Sequence, residues 1–165
     1  MYDLVVIGGG AAGLMAAGTA AKRGLKVTLI ERNDKLARKV AITGKGRCNV
    51  TTDKDTTEII NSFLHNGKFL YTALASFSNQ QVKYFFEEAG VPLKVERGER
   101  VFPVSDQAKD IVNALRRKLE AAGVDLWLNA TVKEVLYEEG RAVGVLLPNG
   151  RKIAADCVIV ATGGA

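Results

Sequence analysis

The sequence is poor in the residues that build metal centres, disulfide frameworks and histidine-centred catalysis. Its 165 residues include two cysteines, Cys48 and Cys157, one histidine, His65, and one tryptophan, Trp127. The cysteines stand far apart and in no Cys-x-x-Cys pair, which excludes zinc-ligand spacing and a disulfide scaffold and fits a reducing cytoplasm. His65 has no Ser or carboxylate partner at a recognisable spacing, so an exposed or capping role is its default. Proline is scarce, with 3 residues, while 47% of the chain is hydrophobic and 25% charged. That composition excludes a disordered or collagen-like chain. Charge of one sign is lacking too. The balance of 23 Lys+Arg against 18 Asp+Glu gives +5, which suits a phosphate-bearing ligand but falls short of a dedicated nucleic-acid binder.

The longest uncharged stretch, Leu4 to Ala21, covers 18 positions, a length that raises the question of a membrane span. Five of those residues are Gly and six are Ala, so the drive into lipid is weak. Asp3 stands where a signal peptide carries Lys or Arg. The stretch is read as buried protein interior.

Within it, Val5, Val6 and Ile7 form a short apolar run that stops at three glycines, and the alanine-rich segment Ala11 to Arg23 ends at Gly24. This pattern predicts strand, tight turn and helix. Lys26 to Ile30 is a second, β-branched strand ending on Glu31. The right-handed crossover then makes the two strands parallel.

Residues 33 to 52 read as a polar, basic loop with a short helix near Lys35 to Ala41. Helices are expected near Thr56 to Phe63, Phe69 to Phe77 and Gln80 to Ala89, and a hairpin at Leu93 to Val95 and Arg100 to Phe102. A helix capped by Ser105 or Asp106 follows, with Ala108, Ile111, Val112, Leu115, Leu119 and Ala122 at helical spacing. Asp125 to Leu128 is a short strand. Thr131 to Tyr137, Ala142 to Leu147 and Arg151 to Ala155 alternate around Glu-Gly and Asn-Gly turns, as an antiparallel meander does. Cys157 to Val160 is fully apolar, the pattern of a strand covered on both faces, which makes Cys157 a core residue. Trp127, Phe77, Tyr84, Phe85 and Phe86 are likewise read as core.

Two constellations carry chemistry. In Gly8-x-Gly10-x-x-Gly13, Gly8 permits the tight turn, Gly10 removes the side chain that would block a pyrophosphate, and Gly13 lets the helix pack closely on the strand. The helix start at Ala11 and Ala12 offers N–H groups and partial positive charge to phosphates. Glu31 is placed to accept from ribose hydroxyls and to repel a 2′-phosphate, so the ligand is FAD or NAD in preference to NADP. A P-loop is excluded, because Leu14 and Met15 stand where Lys and Ser/Thr are required. The second constellation is Thr43-Gly44-Lys45-Gly46-Arg47-Cys48-Asn49, whose glycines let successive N–H groups converge on an anion. With Lys35, Arg38 and Lys39 it is basic. Cys48, lacking a neighbouring His, reads as space-filling.

Three stretches carry a family resemblance: Val6 to Leu14, Ile42 to Thr51 with its Gly-Arg-Cys-Asn, and Arg100 to Ser105 leading into a helix. Val158 to Gly164 adds a flavoprotein return motif. On these the chain resembles the N-terminal part of the BaiN/YhiN-like, aminoacetone-oxidase-like, FAD-dependent oxidoreductases of the two-dinucleotide-binding-domain superfamily. The fold implied is α/β: a Rossmann-like FAD-binding domain over residues 1–165, with a central parallel sheet, an inserted helical segment and an antiparallel meander.

The resemblance implies FAD as cofactor. Gly8, Gly10, Ala11, Ala12 and Gly13 would line its pyrophosphate, Glu31 the ribose, and Arg32 the adenine. Lys39, Gly44, Gly46, Arg47, Cys48 and Asn49 would run along the pyrophosphate towards the flavin ring. Val132 would meet adenine through its backbone, and Ala161, Thr162 and Gly163 would close over the cofactor. Lys45 departs from the small residue expected between those glycines.

Family members continue past this terminus through a substrate domain and a last flavin-contacting segment, so the chain is expected to be truncated. The function implied is cytoplasmic hydride transfer between flavin N5 and a small organic substrate or a reduced nicotinamide, with no nucleic-acid or membrane partner. No general acid or base is identifiable, and Arg47 is the best candidate to stabilise charge on the reduced ring. A dinucleotide-binding piece without activity and a flavoenzyme acting on RNA are the alternatives.

Overall fold

The computed structural model describes residues 1–164. The chain divides into two compact units: Met1–Val40 with the segment from Leu115 onward, and Ala41–Ala114.

The first unit is built on β1 (Tyr2–Ile7), α1 (Ala11–Lys22) and β2 (Val27–Ile30). Val5 and Val6 are fully enclosed, and all four residues of β2 are buried, as suits a parallel strand covered on both faces. The one polar member, Thr28, has its hydroxyl satisfied by the Asp125 carbonyl at 3.0 Å. α1 buries Gly13, Leu14 and Ala17, the stripe that faces β1 and β2. Residues of the first unit beyond 115 form β6 (Asp125–Trp127), β7 (Glu134–Glu138), β8 (Arg141–Leu146) and β9 (Lys152–Val160).

These strands make one sheet in the order β6-β2-β1-β9-β8-β7. The pairs β6/β2, β2/β1 and β1/β9 are parallel, and β9/β8 and β8/β7 antiparallel. A parallel Rossmann-like sheet with an appended meander is therefore present. One face packs Val5, Ile30, Val145, Leu147, Ile153 and Ala155 together, flanked by Trp127, Ala130 and Val132.

Two expectations fail on β9. Arg151–Ala155 and Cys157–Val160 are not separate strands. A single nine-residue strand pairs with β8 through Lys152–Ala154 and with β1 from Ala155 to Val160. Nor is its end covered on both faces: Cys157 is exposed, and Val160 is 64% exposed. Cys157 and Ile159 stand beside Leu4 and Val6. α1, fixed by the crossover, packs over β1 and β2, so the same register on β9 faces solvent.

The second unit holds a three-stranded sheet, β3 (Thr51–Thr52), β5 (Arg100–Pro103) and β4 (Leu93–Glu96), in the order β3-β5-β4. Three short helices precede β4: α3 (Thr56–Asn61), α4 (Tyr71–Ser76) and α5 (Asn79–Glu88). Capping boxes start two of them, Asp55 with Glu58 and Ser78 with Gln81. The buried Asn79 amide donates to the carbonyls of Thr52 (2.8 Å) and Lys54 (2.9 Å). Of the aromatics expected in the core here, Phe86 is buried, whereas Phe77 and Tyr84 are 41% and 66% exposed. Phe77 follows the short α4, and Tyr84 lies on α5, which buries only the face its neighbours reach. Two helices span the boundaries between units, α2 (Arg38–Gly46) and α6 (Ala108–Ala121). In the first unit, Leu119 of α6 lies where a Cβ on Gly18 of α1 would be in van der Waals contact, at 3.6 Å.

Candidate cofactor-binding site

At the carboxyl ends of β1 and β9, three stretches of the first unit converge. The chain leaves β1 through Gly8, whose φ of +107° suits glycine, and a Cβ there would lie 2.6 Å from the Ala161 carbonyl oxygen. A Cβ on Gly13 would run into the carbonyl oxygen of Gly8. A Cβ on Gly10 would meet no atom within 4 Å. The three glycines thus do different work: two allow backbone contact within the protein, and one leaves space.

That space is lined by donors. Gly8 N–H bonds the Ile30 carbonyl (2.8 Å) and Gly9 N–H the Glu31 carboxylate (2.6 Å), while the first intrahelical bond runs from Leu14 N–H to Gly10 C=O (2.9 Å). Among the described residues, the N–H groups of Gly10, Ala11, Ala12 and Gly13 have no acceptor, and no side chain caps the helix. Ala11 and Ala12 are exposed. The first turn of α1 is therefore a set of amides without a protein acceptor among the described residues, at the positive end of a helix dipole and exposed at Ala11 and Ala12, a site suited to a diphosphate.

Glu31 lies beside it, 8% exposed. Its Oε2 accepts from Gly9 N–H at 2.6 Å, and its Oε1 from Asn33 N–H at 2.8 Å and Asn33 Nδ2 at 2.5 Å. Its backbone is fixed as well, because Glu31 N–H donates to Trp127 C=O (2.8 Å) and Ala130 N–H donates to Glu31 C=O (3.0 Å). Arg32 is exposed next to it, and Val132 is half-buried against the sheet core. On the other side, Ala161 N–H bonds Ile7 C=O (2.8 Å), Gly163 has φ +82°, and Lys39 Nζ donates to Gly164 C=O (3.3 Å). Gly8 to Gly13, Glu31, Lys39 and Ala161 to Gly163 are thus brought together.

Gly44, Gly46, Arg47, Cys48 and Asn49 belong to the second unit. Their loop breaks α2 at Thr43, Gly44 and Lys45, with Gly44 and Lys45 left-handed at φ +56° and +58°. It turns back on itself through Cys48 N–H to Thr43 C=O (3.0 Å) and Arg47 N–H to Gly44 C=O (3.2 Å). Arg47 stacks on Phe102 at 4.3 Å, donates from Nε and Nη2 to Asp106 (2.8 and 2.6 Å), and pairs with Glu96. Lys94 bridges the same two carboxylates at 2.8 and 3.3 Å. The side-chain nitrogen of Asn49 lies towards the carbonyls of Thr51 (2.9 Å) and Val101 (3.2 Å).

The HI0933-like protein Rossmann domain matches residues 2–165. The chain belongs to that family. The family is one of flavin-dependent oxidoreductases. This HI0933-like domain is 31% identical to a 3-dehydro-bile acid delta(4,6)-reductase of Clostridium scindens, over 99% of this chain and 39% of the relative. It is 30% identical to a ribosomal RNA dihydrouridine synthase of Haemophilus influenzae, over 97% of this chain and 40% of the relative. The chain therefore spans about two fifths of the length of these curated relatives. Among solved structures, the open conformation of a flavocytochrome c3 fumarate reductase superposes with a TM-score of 0.75 at 26% identity, covering 99% of this chain and 34% of that one.

The sequence reading of the HI0933-like domain missed three participants. A Cβ on Gly9 would lie 2.6 Å from Leu36 Cδ2, and Gly9 C=O accepts from Ala37 N–H at 2.7 Å. Asn33 and Arg38 hold the Glu31 carboxylate through a chain of hydrogen bonds. The middle glycine of Gly8-Gly9-Gly10 was the available signal for the first. No motif signals the others, although their partners are near in sequence: Asn33 lies two residues from Glu31, and Arg38 five from Asn33.

Two predictions arise here. Cys48 is 3% exposed, and burial pushes its thiol above the ordinary range, whereas Cys157 is exposed. A thiol reagent should label one cysteine per folded chain quickly, identified by peptide mapping as Cys157, and Cys48 only on unfolding. In the second unit, Arg47 and then Lys94 hold the Glu96 carboxyl below its usual range, and Lys94 and then Arg47 do the same for Asp106. A carboxyl depressed in the folded state stabilises fully above its unfolded value, about 4, and loses that contribution as pH falls through the folded value. Melting temperature should therefore fall more steeply below about pH 5 in the natural protein than in a Glu96→Gln/Asp106→Asn variant, and less so in high salt, which screens these half-exposed pairs. Equal slopes in thermal melts across pH would refute this.

Proposed function

We propose that the first unit binds FAD, with the diphosphate on the amides of Gly10 to Gly13 and the adenosine ribose at Glu31. The reading is carried by one observation: among the described residues, the N–H groups of Gly10, Ala11, Ala12 and Gly13 at the start of α1 have no acceptor, beside a Gly10 whose Cβ position is open and a buried carboxylate. A flavin bound there supplies hydride exchange at N5 with an organic substrate or a reduced nicotinamide. The protein's part is to hold and orient. The Gly10 to Gly13 amides neutralise phosphate charge, Lys39 adds a cation at the same edge, and the Glu31 carboxylate disfavours a 2′-phosphate on the ribose. Arg32 and the Val132 backbone are assigned to the adenine, and Ala161, Thr162 and Gly163 to the cofactor's near side. The assignment of Gly44, Gly46, Arg47, Cys48 and Asn49 towards the flavin ring rests on family resemblance.

The whole protein's reaction is proposed as reduction or oxidation of a small organic molecule in the cytoplasm. The bile-acid reductase name among the relatives supports that class. The ribosomal RNA name favours a second reading, RNA as substrate, together with the basic residues between Lys35 and Arg47. The absorbance spectrum of the purified protein tests the cofactor: oxidised flavin bands at one equivalent are expected, and a colourless protein that takes up no added FAD refutes the proposal. RNA binding that falls steeply with salt would move the substrate to the second reading.

A further inference from the structure

The Glu31 carboxylate has already taken most of the hydrogen bonds it can accept. An ionised carboxylate offers about four acceptor positions, and three are filled: Asn33 N–H and Nδ2 both point to Oε1, and Gly9 N–H points to Oε2. Among the described residues, the vacant position is on Oε2. Asn33 does not hold this arrangement alone. Its Oδ1 accepts from Arg38 Nη1 at 2.8 Å, which fixes the amide with oxygen towards the guanidinium and nitrogen towards the carboxylate. Its backbone carbonyl accepts from Asn129 N–H at 3.0 Å. Arg38 is exposed, so the relay runs from the surface to a buried acid.

We infer that Asn33, oriented by Arg38, is a positioning residue that leaves Glu31 a single free acceptor and so makes adenosine-ribose recognition monodentate, through one hydroxyl and not both. The inference rests on the FAD reading above. A carboxylate free to use both oxygens would take the 2′- and 3′-hydroxyls together and penalise the loss of either. With Oε1 closed by Asn33, only the hydroxyl that reaches Oε2 matters.

The test is fluorescence titration of flavin-free full chain with FAD and with its 2′-deoxyadenosine and 3′-deoxyadenosine analogues. One analogue should bind about tenfold or more weakly, the loss expected for a hydrogen bond to a charged acceptor, and the other within about threefold of FAD. Asn33→Ala opens Oε1, so both analogues should then bind with affinities within about threefold of each other. Arg38→Met changes an exposed side chain and leaves the core intact; it should narrow the gap by freeing the Asn33 amide to turn, and it carries the test if Asn33→Ala does not fold. Equal penalties for the two analogues in the natural protein, or an unchanged gap in both variants, overturn the inference while leaving FAD binding standing. Failure of FAD itself to bind removes the parent reading and this one with it.

Discussion

Gly10→Leu should give a folded protein that is colourless, and Gly13→Ala a protein that is itself destabilised, although both change one glycine of the same motif. Gly10 sits at φ −79° and ψ −179°, extended backbone open to any residue, and nothing lies within 4 Å of a Cβ there. The side chain would fill the space over the free amides. The cost to folding is that of a poorer helix cap, about 1 kcal/mol or less, while flavin retention falls more than tenfold. At Gly13 even a methyl group meets the Gly8 carbonyl oxygen, with Ala161 Cβ at 3.4 Å behind it. β1 and α1 must then separate, at a cost of about 2–3 kcal/mol, or roughly 5–10 °C in melting temperature for a chain of this size. Thermal melts and flavin absorbance on the two variants decide it. A Gly10→Leu protein still yellow at full stoichiometry, or a Gly13→Ala protein as stable as the parent, would contradict the division of labour.

Glu31→Ala should damage folding and binding together. Removing the carboxylate orphans the buried Gly9 N–H, which costs about 1–3 kcal/mol. The ribose then loses its charged acceptor, worth a further ten- to hundredfold in FAD affinity. Glu31→Gln should not rescue stability. Every partner of the carboxylate is a donor, so whichever way the amide turns, its NH₂ faces another N–H. Urea unfolding and FAD titration of the two variants check this, and full stability in Glu31→Gln would show that the three hydrogen bonds are not made.

How much of this was legible beforehand depends on the range of the interactions. The β1-α1-β2 unit was readable because its signals are local: an apolar run, a glycine turn, an alanine-rich helix and an acidic strand end within 31 residues. α6 was readable from its spacing, and Ala108, Ile111, Leu115 and Leu119 are buried as expected. The helix near Lys35 to Ala41 was placed early: α2 starts at Arg38 and continues to Gly46, interrupted by left-handed residues that local composition does not reveal. β3, two residues long, has no periodicity to detect and exists by pairing with β5.

By itself, the order of residues determined which glycine leaves room and which acid follows it, because turn geometry and strand alternation act over a few residues. Tertiary structure alone decided that β9 continues unbroken from one pairing partner to another, that Cys157 lies outside, and that Arg47 is claimed by Glu96 and Asp106. Each of those depends on a hydrogen bond, ion pair or strand neighbour brought close by folding, and the energy of such a contact is invisible until the chain has put both partners within about 3 Å.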